Sequence, residues 1–471
     1  MSVQFPSNVK KLLDNKQIAY TMTMYADDKD PQPQDYRDQH LRDQSVARSI
    51  LLEDSEGKLL ALIPGDCMLD LQRLRQLTQR TLAPVSPREW EKFTRSKNLD
   101  AIPAIPNIAG LTTVIDERLV NGGKSVLLDS GKSPHLLQVD NQALAELMEN
   151  KALCLDIAIS IADVEQSCRN PGGDMKDISN AVSNFTQLRI KQRLEDTLEL
   201  PPLPQTAQRI IKLRVDPNAD ISDLSEIVET DPSLAAQVVS WASSPYYSAP
   251  GKIRSIHDAI VRVLGFDMVL NLALGIALSR TLEIPKSGPY GIQPYWRSAV
   301  YTAAIMEALV TAIPRQYRPG FGLAYLSGLL HNFGFLILAD VFPPHFDRLC
   351  DTWNANPHVS HQVVEKQLLG VNRAQLAAWL MESWHMPEEV VVALRHQNDP
   401  SYQGEHAVYA NLLYIAQALL QKYNMGSGPT VYLSNELLAR VHLERSGLDE
   451  TVSSIMNSKM ELENIAGELA G

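Results

Sequence analysis

A two-domain protein, mixed α/β in its first half and all-α in its second, is the fold class this sequence predicts, and three observations predict it. At 471 residues the chain is too long for one typical hydrophobic core. Short strand-like apolar runs separated by polar breaks recur up to Val139. From Leu200 onward those runs nearly vanish, and apolar residues recur at helical spacing. The expected organisation is an α/β domain over 1–152, a helical connector over 153–198, a helical domain over 199–400 and a C-terminal helical extension over 401–471.

The first half opens with a short amphipathic helix that places Val9, Leu12 and Leu13 together. Strand-like runs follow at Ile18–Met24, Ser49–Leu52, Leu59–Ile63, Thr112–Ile115, Ser125–Leu128 and His135–Val139, and they suggest one sheet with flanking helices. Leu69–Leu77 reads as a helix between them. A second helix opens at Ser86-Pro87-Arg88-Glu89, which combines an N-cap serine, a proline at the first helical position and a glutamate three residues after the cap. Asp140 is placed to cap a third helix over Asn141–Asn150.

The connector contains the breaker cluster Asn170-Pro171-Gly172-Gly173-Asp174. A long polar helix pattern over Ile178–Leu198 follows, with Val182, Phe185, Leu188 and Ile190 as its apolar positions. In the helical half Leu234, Val238, Trp241 and Ala242 fall on one face, as do Ile260, Val263 and Leu264. The extension adds a helix over Val408–Tyr423, the linker-like Gly426-Ser427-Gly428-Pro429 and a charged helical tail.

A formal net charge of -12 argues against broad electrostatic binding of nucleic acid, and DNA is not an expected partner. Cys67, Cys154, Cys168 and Cys350 form no CxxC pair, so buried reduced thiols are expected rather than a zinc ribbon or a disulfide framework. Met1–Lys11 lacks a hydrophobic signal core, and no stretch reads as the roughly 20 apolar residues of a membrane span. A cytoplasmic protein without a membrane partner is the expectation.

Residues 327–334 read Ser-Gly-Leu-Leu-His-Asn-Phe-Gly, the outline of an HD motif with asparagine in place of aspartate. Around it stand, in order, Leu200-Pro201-Pro202-Leu203-Pro204, Ile227-Val228-Glu229-Thr230-Asp231-Pro232-Ser233-Leu234, Ser243-Ser244-Pro245-Tyr246-Tyr247 and Ile256 to Gly265. Tyr295-Trp296, Trp384-His385-Met386-Pro387 and Arg395-His396 complete the set. This ordered set resembles the HDOD family, the HD-related output domains of bacterial signalling proteins.

HD phosphohydrolases bind divalent metals through imidazole and carboxylate ligands. The resemblance puts those positions at Ser298, His331, Asn332, Arg373, His396 and Gln417. Ser298 has no imidazole, Asn332 keeps the shape of aspartate without its charge, and Arg373 is a permanent cation. Two imidazoles fall short of the roughly three protein ligands of an open catalytic site, so no metal cofactor is expected. An HD-type pocket that binds a nucleotide without cleaving it would use His331, Arg373 and Arg395 as phosphate contacts. His331 and His396 otherwise read as core histidines, and Trp296, Trp353, Trp379 and Trp384 as core aromatics. His358 and His361 read as a solvated pair at a helix start rather than a chelate.

The first half resembles the YbaK/prolyl-tRNA editing family, whose members hydrolyse mischarged aminoacyl-tRNA. The similarity rests on Leu12-Leu13, Ile18-Ala19-Tyr20, Val46-Ala47-Arg48-Ser49-Ile50-Leu51-Leu52, Ala61 to Asp66, Asp116-Glu117 and Ser130-Gly131. It implies substrate-binding positions at Arg48, where the family has lysine, and at Gly131. The family's Gly-x-x-x-Pro loop aligns with Asp100-Ala101-Ile102-Pro103-Ala104, where both diagnostic residues differ. Aspartate brings a side chain and a negative charge to a place where close backbone approach to an anionic substrate is needed.

Two enzyme scaffolds with altered working groups imply a signalling or scaffold protein that binds a protein partner. Aminoacyl-tRNA deacylation by the first half, with tRNA or an aminoacyl ligand as partner, is the first alternative. A non-hydrolytic nucleotide sensor is the second.

Overall fold

The computed structural model describes residues 6–24, 41–96, 99–106, 108–123, 125–132, 135–148, 152–169, 171–181, 203–247, 251–279, 290–341, 343–423, 425–426 and 428–470. The apolar positions Val182, Phe185, Leu188 and Ile190 and the run Leu200-Pro201-Pro202 lie outside them. The chain divides into two units. One comprises Met1–Cys168, Asp347–Val364 and Ser427–Val431, and the other Arg169–Phe346, Glu365–Gly426 and Tyr432–Gly471.

The first unit is built on strands β1 (Thr21–Met24), β2 (Val46–Asp54), β3 (Gly57–Pro64), β4 (Cys67–Leu69), β5 (Ala83–Pro84), β6 (Thr112–Asp116), β7 (Ser125–Asp129), β8 (His135–Asp140), β9 (Ala152–Leu155) and β10 (Ala158–Ser160). Its main sheet runs β1-β8-β7-β2-β3-β6-β9 with β5 also on β2, and β10 pairs with β4 separately. The centre mixes an antiparallel β2/β3 pair with parallel β2/β7, β3/β6 and β6/β9 pairs.

Both faces of this centre are covered, in keeping with the consecutive apolar residues Ile50–Leu52 on β2 and Leu59–Ile63 on β3. On one face Ala47, Leu51, Leu60 and Leu62 pack with Val9 and Leu13 of the Ser7–Asn15 helix and Leu144 of the Asn141–Met148 helix. On the other, Ile50, Leu52, Leu59, Ala61 and Ile63 pack with Leu71 and Leu74 of the Leu71–Thr78 helix. The helix starts are held by their caps: Asp70 accepts from the Arg73 amide at 3.0 Å, Ser86 from Glu89 at 3.3 Å and Asp140 from Ala143 at 2.7 Å.

Five of the six strand runs legible in the sequence lie within strands of this sheet, and of Ile18–Met24 only Thr21–Met24 is strand, while β4, β5, β9 and β10 are too short to show a period. The stretch 152–160, which reads as the start of a connector, is strand paired to β6 and β4. Edge strand β9 also accounts for a correction among the thiols. None of the four is in a disulfide, yet Cys154 on β9 is exposed, Cys168 and Cys350 are half-buried and only Cys67 is buried.

The Asp347–Val364 segment joins this unit through polar groups. Asn356 accepts from the Leu69 amide at 2.7 Å and donates to its carbonyl at 3.1 Å, and His358 Nε2 lies 3.0 Å from the Cys67 carbonyl. Arg75 pairs with Asp351 at 2.7 Å. His358 is therefore buried and hydrogen-bonded, which overturns the solvated expectation for it, while His361 opens the His361–Leu369 helix half-buried and stacked on Trp353 at 4.6 Å.

The second unit is helical throughout its described residues. Asp231 caps the Pro232–Ser243 helix by accepting from Ser233 and Leu234, and Leu234, Val238, Trp241 and Ala242 form its buried face. Ile260–Leu264 departs from the expected α-helical stripe. It is a π turn closed by Gly265 at φ 81°, so Ile260 is buried while Val263 and Leu264 are half-buried.

The Phe266–Ser279, Ile292–Ala312 and Phe321–Leu330 helices make the centre of this core. Gly328 sits so close to Ala303 that an added Cβ would lie 2.8 Å from its Cα. Phe321–Asp340, 20 residues long, is apolar and long enough to cross a membrane, contrary to the sequence expectation. It is 83% buried, because the Phe321–Leu330 and Phe333–Val341 helices form core here. The C-terminal helices Arg445–Asn457 and Lys459–Ala470 belong to the same unit. Arg297 pairs with Glu463 at 2.7 Å, and the Tyr301 hydroxyl reaches Glu463 at 3.2 Å.

Candidate functional site

His331 and Asn332 form the turn between the Phe321–Leu330 and Phe333–Val341 helices. His331 Nδ1 lies 2.8 Å from the Gly328 carbonyl. A carbonyl only accepts, so Nδ1 holds the proton and Nε2 accepts from the Ser298 hydroxyl at 3.2 Å. Burial pushes the imidazole down to about 4, in keeping with a neutral ring. His331 is thus the hydrogen-bonded core histidine that its apolar neighbours imply.

Asn332 Oδ1 accepts from Arg373 Nη1 at 2.8 Å. Arg373 opens the Arg373–Ser383 helix, whose Asn372 cap and Gln375 form a reciprocal capping box. Its backbone amide donates to Glu365 Oε2 at 2.8 Å and its Nε to Oε1 at 2.5 Å. Glu365 is fully buried; desolvation pushes its carboxyl up while the guanidinium pulls the other way. Gly334 makes room for this arrangement, since a Cβ there would fall 1.9 Å from the Arg373 carbonyl oxygen.

Gln397 donates to the His331 carbonyl at 3.0 Å, and Gln417 donates to Gln397 Oε1 at 3.1 Å. The HD positions therefore fall on two hydrogen-bonded chains that meet at the His331-Asn332 turn, Ser298, His331 and Gln417 on one and Asn332 and Arg373 on the other. His396 instead stacks on Tyr402 at 3.7 Å. The donor set does not fit a divalent cation. The acceptor that replaces the HD carboxylate is held by a guanidinium, and the histidine nitrogen facing Ser298 is already engaged. Among the described residues no group of three or more His, Cys, Asp or Glu is placed to hold a metal ion.

A second polar layer lies on the same helices. Arg395 donates Nε and Nη2 to Asp174, the latter at 2.8 Å. Lys366 pairs with Asp177. The Gln375 amide donates to Asp174 at 2.7 Å and Asp177 at 3.2 Å. Arg373 and Arg395, read from the sequence as phosphate contacts, thus each hold a carboxylate of the chain itself. A phosphate would have to displace it. Glu365, Lys366, Asp174 and Asp177 were not legible as site residues, because nothing in their spacing announces partners as distant in sequence as Arg395 is from Asp174.

In the first unit Arg48 is buried on β2 in register with Ile63. Successive strand residues face opposite sides, so Arg48 leaves β2 on the side of Ile50 and Leu52. Ser49 leaves on the other and reaches the Ile102 carbonyl at 2.5 Å. Gly131, at φ 77°, abuts that same loop, since a Cβ there would lie 2.8 Å from the Ala101 carbonyl oxygen. The Asp100 amide donates to Gly131 at 2.9 Å and the Ala104 amide to Asp129 at 2.8 Å, so these loop donors are turned to protein. Lys132 pairs with Asp100 at 2.9 Å and offsets the charge that the sequence places there.

The comparisons with known proteins agree with this division. The HDOD domain model matches residues 200–400, and the aminoacyl-tRNA editing domain model matches residues 36–147. A solved structure described as a candidate signal transduction protein of Marinobacter aquaeolei VT8 is 40% identical over 99% of this chain and 100% of that one, with a TM-score of 0.86. An HDOD domain protein of unknown function from Geobacter sulfurreducens is 20% identical, covers 62% of this chain and 97% of its own, and has a TM-score of 0.50. An uncharacterised protein of Treponema pallidum (strain Nichols) is 23% identical over 59% of this chain. The chain spans about half the length of that curated relative, 52%.

Proposed function

Because the chain belongs to the HDOD family and has an aminoacyl-tRNA editing domain ahead of the HDOD domain, we propose that it is a cytoplasmic signalling or scaffold protein in which both domains bind rather than hydrolyse. The helical half presents its surface to a protein partner, and the editing-like half is a sensory or second docking module. The observation that supports this reading is Arg373, whose guanidinium ties Asn332 to Glu365 where a phosphohydrolase needs a metal. The name of the Marinobacter relative points the same way.

Titration of the intact protein with Mn²⁺ in a calorimeter tests it. No binding is expected at the His331-Asn332 turn. Asn332→Asp is expected to create none either, because the new carboxylate would pair with Arg373. A site of unit stoichiometry that disappears in His331→Ala would overturn the reading.

The Lys132–Asp100 pair favours a second reading, deacylation of aminoacyl-tRNA, because it removes one electrostatic objection to an anionic substrate. Arg48→Ala abolishes amino acid release under that reading.

A further inference from the structure

Two helices, His361–Leu369 from Glu365 onward and Arg373–Ser383, contribute to two polar layers of the second unit, and Glu388–His396 adds Arg395 to one of them. Glu365 and Arg373 serve the His331-Asn332 turn. Their neighbours Lys366, Gln375 and Arg395 hold Asp174 and Asp177 of the helix over 174–181 instead. The donors are a guanidinium fork, an ammonium and a carboxamide that bridges both acids. An anion with several acceptor oxygens engages the same combination.

We infer that Lys366, Gln375 and Arg395 form a binding site for a phosphate-class anion, and that Asp174 and Asp177 are its internal occupant, so that ligand and connector compete for it. Two features support the competition. The bases are the more buried partners, with side chains 8% exposed at Lys366 and 10% at Arg395, against 30% at Asp177 and 18% at Asp174. The occupant therefore lies on the solvent side, where an incoming anion meets it first. Two buried cations left alone are strongly unfavourable, so the acids depart only when another anion takes their place. Anion binding thus frees the start of the connector from the helical half. This switch goes beyond the proposed signalling role and requires neither hydrolysis nor a protein partner.

The test uses the full chain and inorganic pyrophosphate, read by calorimetry and by hydrogen exchange of the 174–181 backbone at constant ionic strength. In the wild-type protein, saturating pyrophosphate is expected to raise exchange in 174–181. Asp174→Asn with Asp177→Asn is expected to bind pyrophosphate about tenfold more tightly than wild type, a difference of about 1.4 kcal/mol. Lys366→Gln with Arg395→Gln is expected to lose binding. Unchanged exchange at saturation, no gain in affinity without the two acids, or binding that survives loss of the two bases would each overturn the inference. A polyaspartate peptide that frees the helix where pyrophosphate does not would overturn the assignment to phosphate. Thermal melts check that each variant folds. If the variant lacking both acids does not, Asp177→Asn alone keeps the Arg395–Asp174 fork and is expected to show an intermediate gain.

Discussion

Arg373 links the half-buried Asn332 side chain to the fully buried Glu365 carboxylate, and its backbone carbonyl abuts Gly334 of the Phe333–Val341 helix. Removing one member of a buried pair leaves an uncompensated charge and costs about 3–5 kcal/mol. Arg373→Ala is therefore expected to lower the stability of the helical half by that amount in urea denaturation. Arg373→Met combined with Glu365→Leu is expected to lose clearly less; equal losses would mean the pair is not what Arg373→Ala breaks. His331 gives a pH-dependent counterpart. Its folded pKa of about 4 lies below the ordinary 6.5, so the unfolded chain takes up the proton first as pH falls. The stability this group contributes is complete above pH 6.5 and is lost between 6.5 and 4, amounting to about 3 kcal/mol at 1.36 kcal/mol per unit. The stability difference between wild type and His331→Gln should shrink across that window, and nuclear magnetic resonance should show no protonation of the ring above pH 5. At this scale the sequence announced what had changed at Asn332 and Arg373, because the motif fixes those positions. Glu365, their partner, could not be found by spacing, since nothing in a single sequence marks a buried glutamate as the mate of a particular arginine.

Among the elements, the long central strands were legible and the short edges were not. β2 and β3 run for nine and eight residues and carry the apolar stretches Ile50–Leu52 and Leu59–Ile63, whereas β5 spans two residues and β9 four. The Ile260–Leu264 π turn misled the helical periodicity, because a widened turn shifts Val263 and Leu264 off the buried stripe. The membership of Asp347–Val364 in the sheet unit was equally silent in sequence, resting on Asn356, which satisfies both backbone groups of Leu69. Asn356→Ala leaves a buried amide and a buried carbonyl unpaired, at about 1–3 kcal/mol each. Denaturation should show a loss of roughly 2–5 kcal/mol confined to the sheet unit, and hydrogen exchange should rise at Leu69. A loss below about 0.5 kcal/mol, the range of ordinary surface substitutions, would contradict the role given to Asn356.

For the whole chain, the role proposed above is one in which both domains bind. In the helical half, two of the positions that the HD resemblance assigns to a metal, Asn332 and Arg373, are an amide and a guanidinium tied together. In the sheet unit Arg48 leaves β2 on the side away from the loop that Gly131 supports, and the Asp100 and Ala104 amides are bonded within the protein. The fold class was legible because it depends on long periodic stretches. The function was legible only as far as the motifs reach, since the second polar layer between the connector and the helical half is made by pairs such as Asp174 and Arg395. The most direct test of the central claim is release of amino acid from a panel of mischarged tRNAs by the intact protein, measured beside Arg48→Ala. The account predicts the same background rate for both proteins on every tRNA. Release that depends on Arg48 would contradict it and make the chain an editing enzyme with a regulatory helical domain.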